Sequence, residues 1–260
     1  NRTWINANTQ IILNATDNYS GVAGIYYKID SGDWIEYTGP FTITTSGEHL
    51  IEYYAVDTLG NTEEINSKTV YVDITAPTSS LTLGSPSYND YYITNTTQIT
   101  ITASDNIAGI DKIYYRIDGG SWIEYTGAFT LAGYDEGEHI IEYYAIDNLG
   151  NTESILSKTV YLDDTPPVTT YEADNEARTM TLYATDNAAG VQVTYYRIDD
   201  GAWQVYTGPF TVPDGYHTVY WYSIDNLGQV EPIKSTEWGP GGWIPEYSIT
   251  VSYTHLRAHE

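Results

Sequence analysis

Short runs in which apolar and polar residues alternate fill the chain, and no stretch keeps a helical period. Ile11, Leu13 and Ala15 stand two apart, as do Ile99, Ile101 and Ala103, and again Met180, Leu182 and Ala184. The residues between them, such as Asn14, Thr102 and Tyr183, are polar or amphipathic. A period of two sends successive side chains to opposite faces, so each run predicts a half-buried antiparallel strand. The next strand sets Ile25, Tyr27 and Ile29 on one face and Tyr26, Lys28 and Asp30 on the other. It ends in a two-residue connection, Ser31-Gly32, Gly119-Gly120 or Asp200-Gly201, with the chemistry of a tight primed hairpin turn. A further strand is predicted from His49 to Asp57, stopped by Leu59-Gly60-Asn61, before Lys68 to Asp73 closes the copy.

The pattern is one module written three times. Ala15-Thr16-Asp17-Asn18 returns as Ala103-Ser104-Asp105-Asn106 and as Ala184-Thr185-Asp186-Asn187. A Trp follows each Asp by 17 residues: Trp34, Trp122 and Trp203. His49, His139 and His217 each precede an Asp by eight residues, Asp57, Asp147 and Asp225. Asp57 to Asp147 measures a period of 90 residues. About seven short strands in such a length, punctuated by Gly, Pro and Asn, define an all-β fold class: tandem immunoglobulin-like β-sandwich domains. The expected organisation is repeat one over residues 1–75, truncated at its N-terminal side, repeat two over 76–165 and repeat three over 166–238. Residues 239–250 read as an incomplete closing strand or the start of a next module. The last ten residues, 251–260, resemble a translated sequencing adaptor and are set aside, so the chain reads as a metagenomic-type fragment of a longer protein.

The run Tyr-Tyr-x-Ile-Asp-x-Gly-x-Trp, followed by Tyr-Thr-Gly-Pro-Phe and Tyr-Ala-x-Asp-x-x-Gly-Asn, resembles the Ig-like repeats of bacterial and archaeal surface proteins. Some of these carry the label of leptospiral outer-membrane-type β-barrel repeats. A looser likeness is to the C-terminal β-domain of chitobiase-type enzymes. The resemblance implies an Ig sandwich in a surface or secreted setting, and roles as spacer, adhesin or enzyme appendage. It also implies a tyrosine corner at Tyr53 and Tyr143, with Ala55 and Ala145 in place of the usual Cys.

Composition narrows the partners. Ten Lys+Arg stand against 35 Asp+Glu, a net charge of −25, which repels phosphate backbones and anionic lipid. No nucleic acid and no membrane insertion by this segment are therefore expected. A membrane barrel would need an unbroken lipid-facing apolar band, and Lys28, Glu52, Arg116 and Glu142 would interrupt it. The absence of Cys removes disulfides, thiolate zinc sites and Cys nucleophiles. No phosphate loop, nucleophile elbow or His-Glu-x-x-His motif occurs. The carboxylates recur at matching positions in all three copies, which suits folding better than catalysis. No catalytic residue is assigned, and the segment is read as not an enzyme.

Three groups of residues attract a role. Trp34, Trp122 and Trp203, with Tyr27, Tyr115 and Tyr196, read as core anchors, because large aromatics compensate a thin interior. The competing reading makes the Trp residues a stacking face for sugar rings. His49, His139 and His217 each read as a strand start that hydrogen-bonds a turn. The ligand-binding residues are otherwise unknown. For a metal, the candidate is calcium at Asp73, Asp105, Asp147 and Asn151, since two loops and the linker meet at one pole of an Ig sandwich and supply hard oxygens. Asp163, Asp164, Asp186 and Asp225 would repeat the set. Against it stands the habit of Asp and Asn of capping turns through their own backbone. The function these signals favour is a non-catalytic structural or adhesive stalk segment of a larger extracellular or cell-surface protein. The alternative is a set of carbohydrate-binding accessory modules of a secreted hydrolase. Surface glycans or another surface protein are the partners left open.

Overall fold

The computed structural model describes residues 2–240, 242 and 243, so the predicted adaptor segment and most of 239–250 lie outside the described residues. Every regular element among them is a strand. Repeat one holds β1 (Trp4–Ile5), β2 (Val22–Ile29), β3 (Ile35–Glu36), β4 (Gly47–Asp57) and β5 (Asn66–Val72). Repeat two holds β6 (Thr78–Leu83), β7 (Ser87–Tyr88), β8 (Tyr92–Ile93), β9 (Ile99–Ser104), β10 (Ile110–Ile117), β11 (Ile123–Glu124), β12 (Gly137–Asp147) and β13 (Leu156–Leu162). Repeat three holds β14 (Val168–Asp174), β15 (Thr179–Thr185), β16 (Val191–Ile198), β17 (Gln204–Val205), β18 (Phe210–Thr211), β19 (His217–Asp225) and β20 (Lys234–Gly239), with β21 (Gly242–Trp243) after it.

Among the described residues the strands form open sheets, with no closed barrel. The larger sheets run β1-β5-β4-β2-β3, β11-β10-β12-β13-β8-β7 and β17-β16-β19-β20-β21. The smaller ones are β6-β9 and β14-β15-β18. In each larger sheet the second strand of the repeat pairs with the long His-to-Asp strand, Tyr27 opposite Tyr53, Tyr115 opposite Tyr143 and Tyr196 opposite Trp221. β1 and β8 add to the closing strands β5 and β13 in parallel. The third copy, which lacks the Val-Tyr-Val-Asp ending, still closes with β20 antiparallel to β19.

The chain divides into two compact units. One comprises residues up to Gly84 with 98–130 and 138–160; the other comprises 85–97, 131–137 and the chain from Tyr161 onward. In the first, Ile5, Ile43, Ile51, Val70 and Val72 make a buried cluster, and Ile99, Ile101, Ile141 and Val160 are buried too. In the second, Met180, Leu182, Phe210, Val219, Trp221 and Trp238 form one cluster. All of these but Ile43, which lies between β3 and β4 two residues after Phe41, come from the inward set of a strand or from the Phe that follows the Tyr-Thr-Gly step. That Phe stacks on the inward Tyr, with ring centroids 4.0 Å apart for Tyr27–Phe41 and Tyr115–Phe129 and 3.8 Å for Tyr196–Phe210.

Two expectations need correction. The strand predicted over Ile11–Ala15 is reduced to a bridge between Ile11 and Phe41. Its counterparts β9 and β15 lie against β6 and β14. No described strand of repeat one takes the place of β6 beside Ile11–Ala15. The tight turn sits one residue earlier than predicted, with Gly32 donating to the Ile29 carbonyl, so that Asp30, Asp118 and Asp199 take the left-handed backbone. Asp tolerates that region better than most residues. Burial raises the Tyr143 hydroxyl pKa, and the Leu81 backbone amide on β6 opposes that shift.

Candidate metal centre and aromatic face

The three Trp residues are not core anchors. Register decides the matter: Tyr27 faces Ile35 across the β2–β3 pair, so the next step places Lys28 opposite Trp34. Residues opposite each other share a face. Lys28 points to solvent, and Trp34 follows it there, 37% exposed. Its ring packs edge-on against Tyr54 at 4.6 Å, and the Lys28 ammonium sits 5.0 Å from the ring centre. Trp122 repeats this with Tyr144 and Arg116, and Trp203 with Tyr222 and Arg197. Tyr26, Tyr114 and Tyr195 complete the group by stacking on Tyr54, Tyr144 and Tyr222. The inward half of the anchor expectation stands: Tyr27, Tyr115 and Tyr196 carry the Phe stack.

Each His holds a turn; His217 opens β19, while His49 and His139 are the third residues of β4 and β12. His49, His139 and His217 bring Nδ1 to 2.7–2.8 Å of Asp30, Asp118 and Asp199, whose other oxygen accepts the next backbone amide on the His strand. Donating a hydrogen bond to Asp30 raises the pKa of His49, and donating one to Asp199 raises His217; both aspartates are lowered in return. An imidazole with a raised folded pKa stabilises the fold fully below its unfolded value near 6.5, and the effect vanishes as pH climbs through the folded value. The aspartates extend the same window downward, failing only as pH drops through their own lowered values. His49→Ala and His217→Ala should therefore lower Tm at pH 6 and much less at pH 9. Equal losses at both, measured by scanning calorimetry, would mean that the imidazoles act by packing alone.

The sequence-predicted acidic residues converge as two triads. Asp73, Asp105 and Asp147 each offer a carboxylate oxygen, all within 4.8 Å of one another, and so do Asp163, Asp186 and Asp225. Local turns aim them. Asp105 Oδ1 accepts the amides of Ile107, Ala108 and Gly109, and Asp147 Oδ1 those of Leu149 and Asn151. Gly150 supplies the left-handed step that this loop needs. Burial raises the Asp105 carboxyl, but the backbone amides outweigh it and leave it lowered. Asp225 and Asp186 cap their turns in the same way. Turn capping is thus real: at Asp105, Asp186 and Asp225 it uses one oxygen and orients the other, whereas Asp147 Oδ2 also accepts the Asn151 side-chain amide and both Asp163 oxygens accept amides, of Thr165 and Ala189.

Two predicted members behave differently. Asn151 directs its side-chain nitrogen, not its oxygen, toward the group, donating to Asp147 Oδ2 and to the Asp73 carbonyl. It is a clip between linker and loop; Gln229 does the same for the Asp163 carbonyl. Asp164 turns aside and accepts the Asn95 amide. In repeat one Ser20 Oγ lies between Asp17 and Asp57, 3.2 Å and 2.8 Å away, where the later copies have Ala108 and Ala189.

Sequence reasoning missed a glutamate clamp. Glu231, 3% exposed, accepts the amides of Thr169 and Ser223 and the Lys234 ammonium, and also bonds the Thr169 hydroxyl, joining β14 to β19. Glu153 joins Ser79 to Ala145 in the same way. The signal was available: a Glu stands six residues after the Asp of each His-to-Asp strand, at Glu63, Glu153 and Glu231.

Fold and sites together define an array of tandem Ig-like β-sandwich domains. Residues 36–122, a third of the chain, match the bacterial Ig-like domain (group 3) family. No curated protein matches the chain. Similar solved structures include one from a 1.5-MDa bacterial ice-binding adhesin, 11% identical, covering 90% of this chain and 92% of that one at a TM-score of 0.43. The fibronectin(III)-like modules of Clostridium thermocellum CbhA are 18% identical, with 62% and 90% coverage and a TM-score of 0.37.

Proposed function

We propose that this segment is a non-catalytic stalk of a secreted or cell-surface protein, built from three repeats with the boundaries given above. Recurrence carries the reading. The Phe–Tyr stack, the His–Asp turn lock and the acidic turn caps return at matching positions, as a load-bearing module requires and a catalytic site does not. The excess of acidic groups keeps such a segment soluble in salty surroundings. Pulled by its ends in a force microscope, the chain should yield in separate steps, each releasing roughly 30 nm for a period of about ninety residues. A single rupture of the whole segment would overturn the reading.

A second reading has one observation in its favour, the outward Trp-Tyr-Tyr group that every copy presents. Aromatic faces of this kind stack on pyranose rings, so the segment would serve as an accessory module that holds a polysaccharide. Retention on insoluble glycans, lost in Trp34→Ala, Trp122→Ala and Trp203→Ala together, would favour it. Passage of the intact chain through such a column would remove it.

A further inference from the structure

We propose that Asp73, Asp105 and Asp147 form one calcium-binding site and that Asp163, Asp186 and Asp225 form a second. The inference goes beyond the stalk reading and does not depend on it. Each triad brings three carboxylates within 4.8 Å of one another. Two of the three are almost fully buried in each case, Asp73 and Asp147 at 0% and 1% exposure, Asp163 and Asp225 both at 0%. Burial magnifies their mutual repulsion. No Lys or Arg forms an ion pair with any of the six among the described residues.

The decisive observation is what turn capping leaves over. Asp73 Oδ1 accepts the amide and hydroxyl of Thr75, yet Asp73 Oδ2 is buried and accepts nothing. Asp225 Oδ2 and Asp186 Oδ1 are likewise buried without a donor. Buried polar atoms nearly always have a partner. A carboxylate oxygen shut away with two others needs either a proton or a cation.

The donors name the cation. They are hard oxygens only, with no His or Cys, which disfavours zinc and copper. Calcium takes oxygen ligands at about 2.3–2.6 Å in a flexible shell, whereas magnesium at about 2.1 Å demands a near-ideal octahedron and keeps most of its waters. Three carboxylates leave room for water in a shell of about six to eight ligands. Bound calcium would pin the residue that follows β5, Asp73, to the loops after β9 and β12. It would pin Asp163, after β13, to the loops after β15 and β19.

Calorimetric titration of the full chain with calcium at neutral pH should give two sites, and Tm should rise by about 10 °C at a hundredfold excess over Kd. Magnesium at the same concentration should give a much smaller shift. Asp147→Asn and Asp225→Asn keep the capping oxygen and should each remove one site. In EGTA each should raise Tm above that of the parent, because one repelling charge is gone. Variants that do not fold leave the decision to the parent chain's stoichiometry and Tm. No binding heat and no Tm change between EGTA and 10 mM calcium would overturn the proposal, as would equal responses to both cations, or full stoichiometry in both variants. Loss of calcium binding with stepwise unfolding intact would sink this inference and leave the stalk standing.

Discussion

Phe210→Ala is expected to destabilise repeat three by about 3–5 kcal/mol, against about 1–2 kcal/mol for Trp203→Ala, although tryptophan is the larger side chain. Phe210 is 9% exposed and packs with Met180, Leu182, Val212 and Trp238 while stacking on Tyr196. Its removal leaves a cavity walled on several sides. Trp203 has its neighbours, Tyr222 and Arg197, on the outer face of the sheet, and water can take its place. Native-state hydrogen exchange of the β19 amides reads the local loss without requiring the whole chain to unfold in one step. Equal costs, or a larger one for Trp203, would show that the outer aromatics and not the Phe stack hold the repeat.

Glu231→Ala should cost about 3–5 kcal/mol, because truncation strands donors that are out of reach of water. The Thr169 and Ser223 amides both point at this carboxylate from buried positions. Glu63→Ala is the internal control. Glu63 is exposed and bonds the Ala55 amide and the Asn66 side chain, so its loss should cost under about 1 kcal/mol. The difference between the two, measured by the same exchange experiment, isolates the clamp between sheets from the local turn. Similar values would mean that the clamp adds nothing beyond the loop it sits on.

Alternation and repetition made the strands legible, because half-buried sheets impose a period of two directly on side-chain chemistry. The inward set of Met180, Leu182 and Val219 follows from that period alone. The pairing of Asp105 with Asp147 followed from loop placement in an Ig sandwich, a rule of topology that needs no coordinates. Errors arose where residue type was weighed above register. Trp122 was expected inside because it is large, yet its Arg116 neighbour already marked that face as wet. The Asn151 amide was expected to contribute oxygen, but Asp147 Oδ2 and the Asp73 carbonyl both take its nitrogen. Repeat three hid a coordinated change: Ile113 opposite Ala145 becomes Thr194 opposite Ser223, whose hydroxyls bond each other at 2.8 Å and join the Glu231 network. An apolar contact has become a polar one of similar size, and only cross-strand pairing reveals that the two substitutions belong together.

Asp73 belongs by chain position to the repeat it ends, and by its carboxylate to the two loops of the repeat that follows. Shortened versions cut at Ala76-Pro77 or at Pro166-Pro167 would therefore separate every acidic trio from one of its members. A recombinant excision meant to preserve the first trio should begin upstream, before Val72, and carry the Asp73–Pro77 segment along with its downstream neighbour. By the same logic, shuffling these modules into chimeras would rewire the trios at every seam.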